Sequence, residues 1–78
     1  MGQQEWINIF GDNLANILEE ENMSQRELAR LTGLSESTIS KYINKVQMPT
    51  VRAIINISFV LGWAFEDMLN YGDMLEDF

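Results

Sequence analysis

The sequence contains no cysteine and no histidine. Their absence excludes disulfide bonds, thiolate metal sites, thiol nucleophiles and imidazole general bases, and with them most common catalytic chemistry. A chain of 78 residues holds one compact domain and has little room for an enclosed catalytic cleft. We therefore expect no enzymatic activity, no cofactor or metal, and no small-molecule ligand.

Basic residues are also scarce, with five Lys and Arg against twelve Asp and Glu and a net charge of −7. An acidic surface repels nucleic acid, but here the distribution of charge matters more than the total. All five cations lie between residues 26 and 52, where only Glu27 and Glu36 oppose them, so this segment carries +3 and the rest −10. Salt largely screens the interaction between exposed charges that are more than about 8 to 10 Å apart. A locally positive face can therefore exist on an acidic protein. The middle of the chain is the place to look for a binding site.

Long apolar runs are missing as well. The most apolar stretch, residues 53–65, is interrupted by Asn56, Ser58 and Gly62 and is shorter than the ~20 residues that a membrane-spanning helix needs. The first five residues have neither the basic region nor the apolar run of a secretory signal. These features favour a soluble cytoplasmic protein with no membrane partner.

Apolar residues recur at spacings of three and four, which predicts helices. The first helix is expected at about residues 4–21, with Asn22 in the left-handed conformation that closes it. The second begins at residue 25 behind a capping box, in which the Ser24 hydroxyl accepts from the backbone N–H of Glu27 and the Glu27 carboxylate bonds back to Ser24. Gly33 ends this helix with a tight turn.

Three further helices are predicted from their caps. Ser35 opens the third helix, Thr50 opens the fourth after Pro49, and Ala64 is a weak cap for a fifth helix at about residues 64–70. The predicted inward stripe of the fourth helix is Val51, Ile54, Ile57, Ser58 and Leu61. The second and third helices, joined by a turn of about three residues, form a helix-turn-helix within an all-α, five-helix architecture.

A series of short motifs then points to a family. The motifs are Phe10-Gly11 with Leu14, Met23-Ser24-Gln25, Glu27-Leu28-Ala29, Gly33-Leu34-Ser35, Thr38-Ile39-Ser40-Lys41-Tyr42-Ile43-Asn44, Pro49-Thr50, and Leu61-Gly62 with Met68-Leu69. In this order and spacing they resemble the lambda-repressor and Cro-like (XRE-type) helix-turn-helix family over about residues 10–70. The resemblance implies a lambda-repressor-like DNA-binding domain at residues 1–70, followed by an acidic tail at residues 71–78. It also implies a repressor or regulator that binds double-stranded DNA as a two-fold dimer.

The resemblance assigns the helix that begins at Ser35 to the major groove. Its outward positions are expected to read base edges: Glu36 can accept from cytosine N4, Lys41 can donate to guanine, and Ser37 and Ser40 suit either kind of edge. Gln25 matches the phosphate-contacting glutamine of the family. The complete set of expected DNA-binding residues is Gln25, Arg26, Ser35, Glu36, Ser37, Thr38, Ser40, Lys41 and Lys45. Structural alternatives stay open, since Ser35 is also a cap and Thr38 also suits packing.

Some positions depart from the family pattern. Asn13 and Leu18 stand where the first helix of family members often has basic residues, so phosphate contacts from that helix are expected to be missing. Lys45 stands where glycine is common, at a cost of about 1 kcal/mol if its backbone is left-handed, unless Asn44 takes that conformation. Arg30 and Arg52 can equally pair with the many carboxylates.

The C-terminal third carries more apolar surface than one small core consumes. Ile55 and Phe59 occupy positions that are polar in the family. Together with the aromatic and methionine residues that follow them, they favour a homodimer through the fifth helix and the tail, on a palindromic operator. The expected dimer interface comprises Ile55, Phe59, Phe65, Met68, Tyr71, Met74 and Phe78. Alternatively, the tail folds back and covers the fourth helix. A second functional interpretation is a protein-interaction module of the same fold, antirepressor or antitoxin-like, with weak or no DNA binding.

Overall fold

A computed structural model describes residues 2–70 of the chain. It contains five helices: α1 (Gln3–Glu20), α2 (Gln25–Thr32), α3 (Glu36–Ile43), α4 (Val51–Leu61) and α5 (Phe65–Leu69). No strand occurs between residues 2 and 70, so the predicted all-α, five-helix architecture is confirmed. None of the helices in this range has the length and hydropathy required to cross a bilayer.

Three of the helices begin at the hydroxyl caps that the sequence predicts. Ser24, Ser35 and Thr50 each accept a hydrogen bond of 3.0 Å from the backbone N–H three residues further along. Each cap stabilises its helix by about 1 kcal/mol. α5, which begins after Ala64, has no side-chain cap, as expected.

Four helices end at a residue with a left-handed backbone. These residues are Asn22 (φ 56°), Gly33 (φ 77°), Lys45 (φ 64°) and Gly62 (φ 70°). After α3, the N–H of Lys45 donates to the carbonyl of Tyr42 and the N–H of Val46 to that of Lys41, both at 3.1 Å. This is the Schellman pattern, with Lys45 in the position that favours glycine. Asn44 has a φ of −80° and does not take that conformation.

One core joins all five helices. Its largest fully buried side chains are Phe10, Leu14, Ile17, Leu28, Ile39, Ile57 and Met68. α1 packs against α3 and α5, while α2 packs against α3 and α4. Asn13 is buried, and its Nδ2 donates to the carbonyl oxygens of Met68 at 2.6 Å and Leu69 at 3.0 Å. Asn13 therefore fastens the end of α5 to α1.

The inward side of α4 differs from the predicted stripe. Ala53, Ile57 and Leu61 are its buried residues, whereas Val51, which was predicted to face inward, is 74% exposed. Successive residues of a helix are rotated by about 100°. Val51 precedes the buried Ala53 by two positions, or about 200°, and so lies on the opposite side of the helix.

The prediction for α5 also needs correction. Met68 was expected at a dimer interface, but it is 1% exposed and belongs to the core between α5 and its neighbours. Phe65 is half-buried, because its ring packs on Trp6 with the ring centroids 5.7 Å apart. Tyr71, Met74 and Phe78 lie outside the described residues.

Candidate nucleic-acid interface

α2 and α3 are joined by a turn with a defined hydrogen-bond pattern. The N–H of Gly33 donates to the carbonyl of Ala29 at 3.0 Å. The hydroxyl of Thr32 donates to the carbonyl of Leu28 at 2.8 Å and accepts from the N–H of Leu34 at 3.3 Å. Because the turn has little freedom, it fixes the direction in which α3 leaves α2.

The inner side of α3 lies close against α1. A Cβ atom added to Gly11 would lie 2.5 Å from the carbonyl oxygen of Tyr42 and 3.0 Å from Cγ of Lys45. The buried ring of Tyr42 meets Phe10 edge to face, with the ring centroids 6.3 Å apart. Glycine at position 11 therefore permits the close approach that seats α3 and turns its other side outward.

The outer side of α3 is polar. Glu36, Ser37 and Lys41 are exposed and Ser40 is half-buried, so all four lie on the outer side as predicted. Asn44 is also exposed, and its Nδ2 donates to the Ser40 hydroxyl at 3.1 Å. Asn44 is not among the predicted DNA-binding residues, although it follows Ser37 by seven residues and so shares its side of the helix. We call Glu36, Ser37, Ser40, Lys41 and Asn44 the α3 face.

Ser35 and Thr38 have local partners. The Ser35 hydroxyl accepts from the N–H of Thr38 at 3.0 Å, and the two hydroxyl oxygens lie 2.7 Å apart in a further hydrogen bond. Thr38 is half-buried. Both side chains thus stabilise the first turn of α3.

The N-terminus of α2 presents free hydrogen-bond donors. Ser24 binds the N–H of Glu27 through its hydroxyl and the N–H of Leu28 through its carbonyl, each at 3.0 Å. The N–H groups of Gln25 and Arg26 have no partner among residues 2–70. These donors add to the positive end of the helix dipole, and together they suit an anion such as a phosphate.

Two of the five cations are held in ion pairs. Arg30 lies 2.6 Å from Glu27, and the hydrogen bonds from its guanidinium lower the pKa of the Glu27 carboxyl. The second half of the predicted capping box is therefore wrong, because this carboxylate turns to Arg30 instead of the backbone of Ser24.

The other pair links the end of α3 to α1. Lys45 Nζ lies 2.5 Å from a carboxylate oxygen of Asp12, although both side chains remain partly exposed. Arg26, Lys41 and Arg52 are exposed and have no ion pair within residues 2–70. The positive charge that is free for a polyanion therefore rests on these three side chains, with Lys45 available only if Asp12 releases it.

The same helices are recovered by comparison with known proteins. A family model described as helix-turn-helix matches residues 14–62, more than half of the chain. The chain belongs to the XRE-type, lambda-repressor-like helix-turn-helix family. The matched segment of this XRE domain begins within α1 and contains α2, α3 and α4 in full. In general terms the chain is thus a DNA-binding helix-turn-helix regulator. No curated protein matches it.

Two positions that differ from the family pattern have a structural role in this XRE domain. Asn13 and Leu18 are both buried, and Asn13 binds the carbonyl groups at the end of α5. A basic residue at either position would have to leave the core to reach a phosphate. Both substitutions are visible in the sequence, but no local pattern signals the contact between Asn13 and α5, which are more than fifty residues apart.

Proposed function

We propose that this XRE domain is a sequence-specific transcriptional repressor, which binds a palindromic duplex operator as a homodimer. The observation that carries the proposal is the α3 face: five polar side chains on the second helix of a helix-turn-helix, with the opposite side of that helix buried against α1. A repressor needs only to occupy its operator. A folded, outward-facing reading helix is sufficient for that role.

Base edges would be read by the exposed side chains of the α3 face. The Lys41 ammonium suits the O6 and N7 acceptors of guanine, and the Glu36 carboxylate suits the N4 donor of cytosine. Ser37, Ser40 and Asn44 can donate and accept, so they suit several bases. Each well-formed contact contributes about 1–3 kcal/mol of discrimination between bases.

The DNA backbone would be held on either side of that helix. Gln25 and Arg26 offer free N–H groups at the N-terminus of α2, and Arg26 adds an exposed guanidinium. Lys45 would bind a phosphate by exchanging its Asp12 carboxylate for a phosphate oxygen. Ser35 and Thr38 would contribute mainly by holding the first turn of α3, with any contact to DNA made by the same hydroxyl groups.

The proposed dimer matches the two-fold symmetry of the proposed palindromic operator. Two copies related by a two-fold axis place their reading helices about 34 Å apart, one turn of DNA, on a palindromic site. The exposed apolar residues Ile55 and Phe59 support the dimer because they need cover from water.

Selection of bound sequences from a random duplex pool tests the proposal. The wild-type chain should enrich a palindrome with half-sites one DNA turn apart. Lys41→Ala should lose about ten-fold in affinity for that palindrome and relax the preference at one position in each half-site. Arg30→Ala is the matched control, since it removes one cation that is already paired with Glu27, and should enrich the same palindrome. A pool that shows no enrichment with the wild-type chain contradicts sequence-specific binding.

A second candidate function is a protein-interaction module, antirepressor or antitoxin-like, that keeps the fold without binding DNA. The net charge of −7 and the exposed apolar side chains of α4 favour it. Binding to random duplex at low salt separates the two functions, because only the repressor has a measurable affinity that falls as salt rises.

A further inference from the structure

The outer side of α4 is apolar along its whole length. Val51, Ile55 and Phe59 are 74%, 60% and 86% exposed and are spaced four residues apart, so they form one continuous row. Each of them precedes a core residue by two positions, which places the row opposite the buried side of the helix. We call these three residues the α4 stripe.

α4 differs from the other helices in the charged residues that it contains. α1, α2, α3 and α5 each contain at least one acidic residue, whereas α4 contains none, and its single charged residue is Arg52. Two copies of a chain with a net charge of −7 repel each other over most of their surfaces. Among the helices within residues 2–70, α4 is the one that would bring no carboxylate of its own to a contact between two copies.

We propose that the α4 stripe is the surface through which a second copy of the chain binds, with the two α4 helices antiparallel about a two-fold axis at Ile55. This inference rests on the dimer of the proposed function and gives that dimer a location. It moves the interface away from α5, where Met68 is buried and Phe65 packs on Trp6.

The sizes of the three side chains select the antiparallel arrangement. About an axis at Ile55, the small Val51 of one copy lies opposite the large Phe59 of the other, so the summed volume of the facing side chains is even along the contact. A parallel pair would set Val51 against Val51 and Phe59 against Phe59, leaving a gap at one end and crowding at the other. The antiparallel arrangement also brings Arg52 to the C-terminal end of the other α4, where helix carbonyls favour a cation.

The expected dimer is of modest strength. α4 has 11 residues and three exposed apolar side chains, whereas a stable interface buries roughly 800 Å² on each partner. Association should therefore depend on protein concentration and should be reinforced when both copies occupy one operator.

Sedimentation of the full chain over a range of protein concentrations, without DNA, tests the interface. The wild-type chain should pass from monomer to dimer, while Ile55→Glu and Phe59→Glu should stay monomeric at every concentration. Val46→Glu is the matched control: Val46 is 71% exposed but lies between α3 and α4, outside the α4 stripe. It should dimerise like the wild type, and its dissociation into monomers would contradict an interface confined to α4.

The absence of cysteine allows the register to be tested directly. Under mild oxidation, Ile55→Cys should form a covalent dimer, because a two-fold axis at this residue brings the two thiols together. Val51→Cys alone should not, since its copies would lie about 12 Å apart along the helices. Mixing Val51→Cys with Phe59→Cys should give the crossed disulfide, and failure of both Ile55→Cys and the mixture to crosslink overturns the antiparallel contact.

Two further results have defined meanings. A wild-type chain that stays monomeric at all concentrations overturns the proposal, and a lower melting temperature of Phe59→Glu would then indicate that the C-terminal tail covers the stripe. A dimer that depends on Ile55 and Phe59 but binds no duplex supports the interface and contradicts only the proposed repressor function.

Discussion

The α3 face and the α4 stripe lie on two helices that are consecutive in the sequence and built alike, but they differ in what they offer to a partner. Each helix buries one side, with Ile39 and Tyr42 on α3 and with Ala53 and Ile57 on α4. The outer side of α3 carries hydroxyl, carboxylate, amide and ammonium groups, whereas that of α4 carries three hydrocarbon side chains. The buried sides determine the fold, and the outer sides determine the partner: polar groups exchange water for base edges and phosphates, and apolar groups exchange it for another apolar surface.

Because the outer residues contribute little to the core, either surface can be altered while the other is kept as an internal reference. A change near the α3 face should affect duplex affinity and leave dimerisation intact. A change in the α4 stripe should abolish dimerisation and should weaken operator binding only through the lost cooperation between the two copies.

The largest effect is expected for Gly11→Ala. The new methyl group would lie 2.5 Å from the Tyr42 carbonyl, which belongs to the backbone of α3 and cannot move without displacing that helix. Overpacking of this kind destabilises by about 1–3 kcal/mol and should weaken duplex binding by ten-fold or more. Thermal unfolding and duplex titration measure the two effects.

The matched control for this change is Gly2→Ala, since a Cβ at position 2 meets nothing within 4 Å. It should leave stability and affinity unchanged. Gly11→Ala should still dimerise through α4. Equal losses of duplex binding and dimerisation would show that the two surfaces are not independent.

Lys45→Gly should move stability and affinity in opposite directions. Lys45 has a φ of 64°, and glycine relieves about 1 kcal/mol of backbone strain there, part of which is offset by loss of the exposed Asp12 pair. Removal of the proposed phosphate contact of Lys45 should weaken duplex binding several-fold. Denaturant unfolding and duplex titration would show a more stable and weaker-binding protein; unchanged affinity would remove Lys45 from the interface.

Asp12→Asn should strengthen duplex binding by about two- to five-fold, the range expected for freeing one partly exposed cation. The carboxylate of Asp12 lies 2.5 Å from Lys45 Nζ and would compete for it with the phosphate of the proposed DNA contact. In the double variant with Lys45→Gly, the gain should vanish, because the two changes act through one contact. A gain that persists in the double variant would reflect the general loss of negative charge.

The smallest effect is expected for Glu27→Gln, which breaks the pair with Arg30. Hydrogen bonding from Arg30 lowers the pKa of Glu27 below its ordinary value of 4.5, so the pair stabilises the fold above that pH. This contribution is lost as the pH falls through the lowered pKa. The variant should be slightly less stable than the wild type near neutral pH and equally stable in stronger acid. Thermal unfolding over that pH range measures the difference in melting temperature between the variant and the wild type. A difference that grows as the pH falls would contradict the lowered pKa of Glu27.

Features set by neighbouring residues were predictable from the sequence. The caps Ser24, Ser35 and Thr50, the turn at Gly33 and the outward positions of α3 depend on residues within one or two helical turns. Apolar residues at helical spacing, preceded by a serine or threonine, are sufficient to predict these features.

Features that depend on distant residues were not predictable. Apolar residues occur on every side of α4 except that of Arg52 and Asn56. The spacing of apolar residues therefore does not reveal which row is buried, and the prediction that Val51 faces inward is wrong. The ion pair of Lys45 with Asp12 joins residues more than thirty positions apart, and only the fold brings them together. The same holds for the buried Met68 of α5, a helix that packs against α1 and α4.

The most direct test of DNA binding by the helix-turn-helix is the salt dependence of affinity for a random duplex, measured for the wild-type chain and for Arg26→Ala. The logarithm of the binding constant should fall linearly with the logarithm of salt concentration, and the slope should be smaller by about one in Arg26→Ala, whose guanidinium is proposed to contact a phosphate. A wild-type chain with no affinity at low salt, or a slope that is the same in Arg26→Ala, would contradict the proposed binding of duplex DNA.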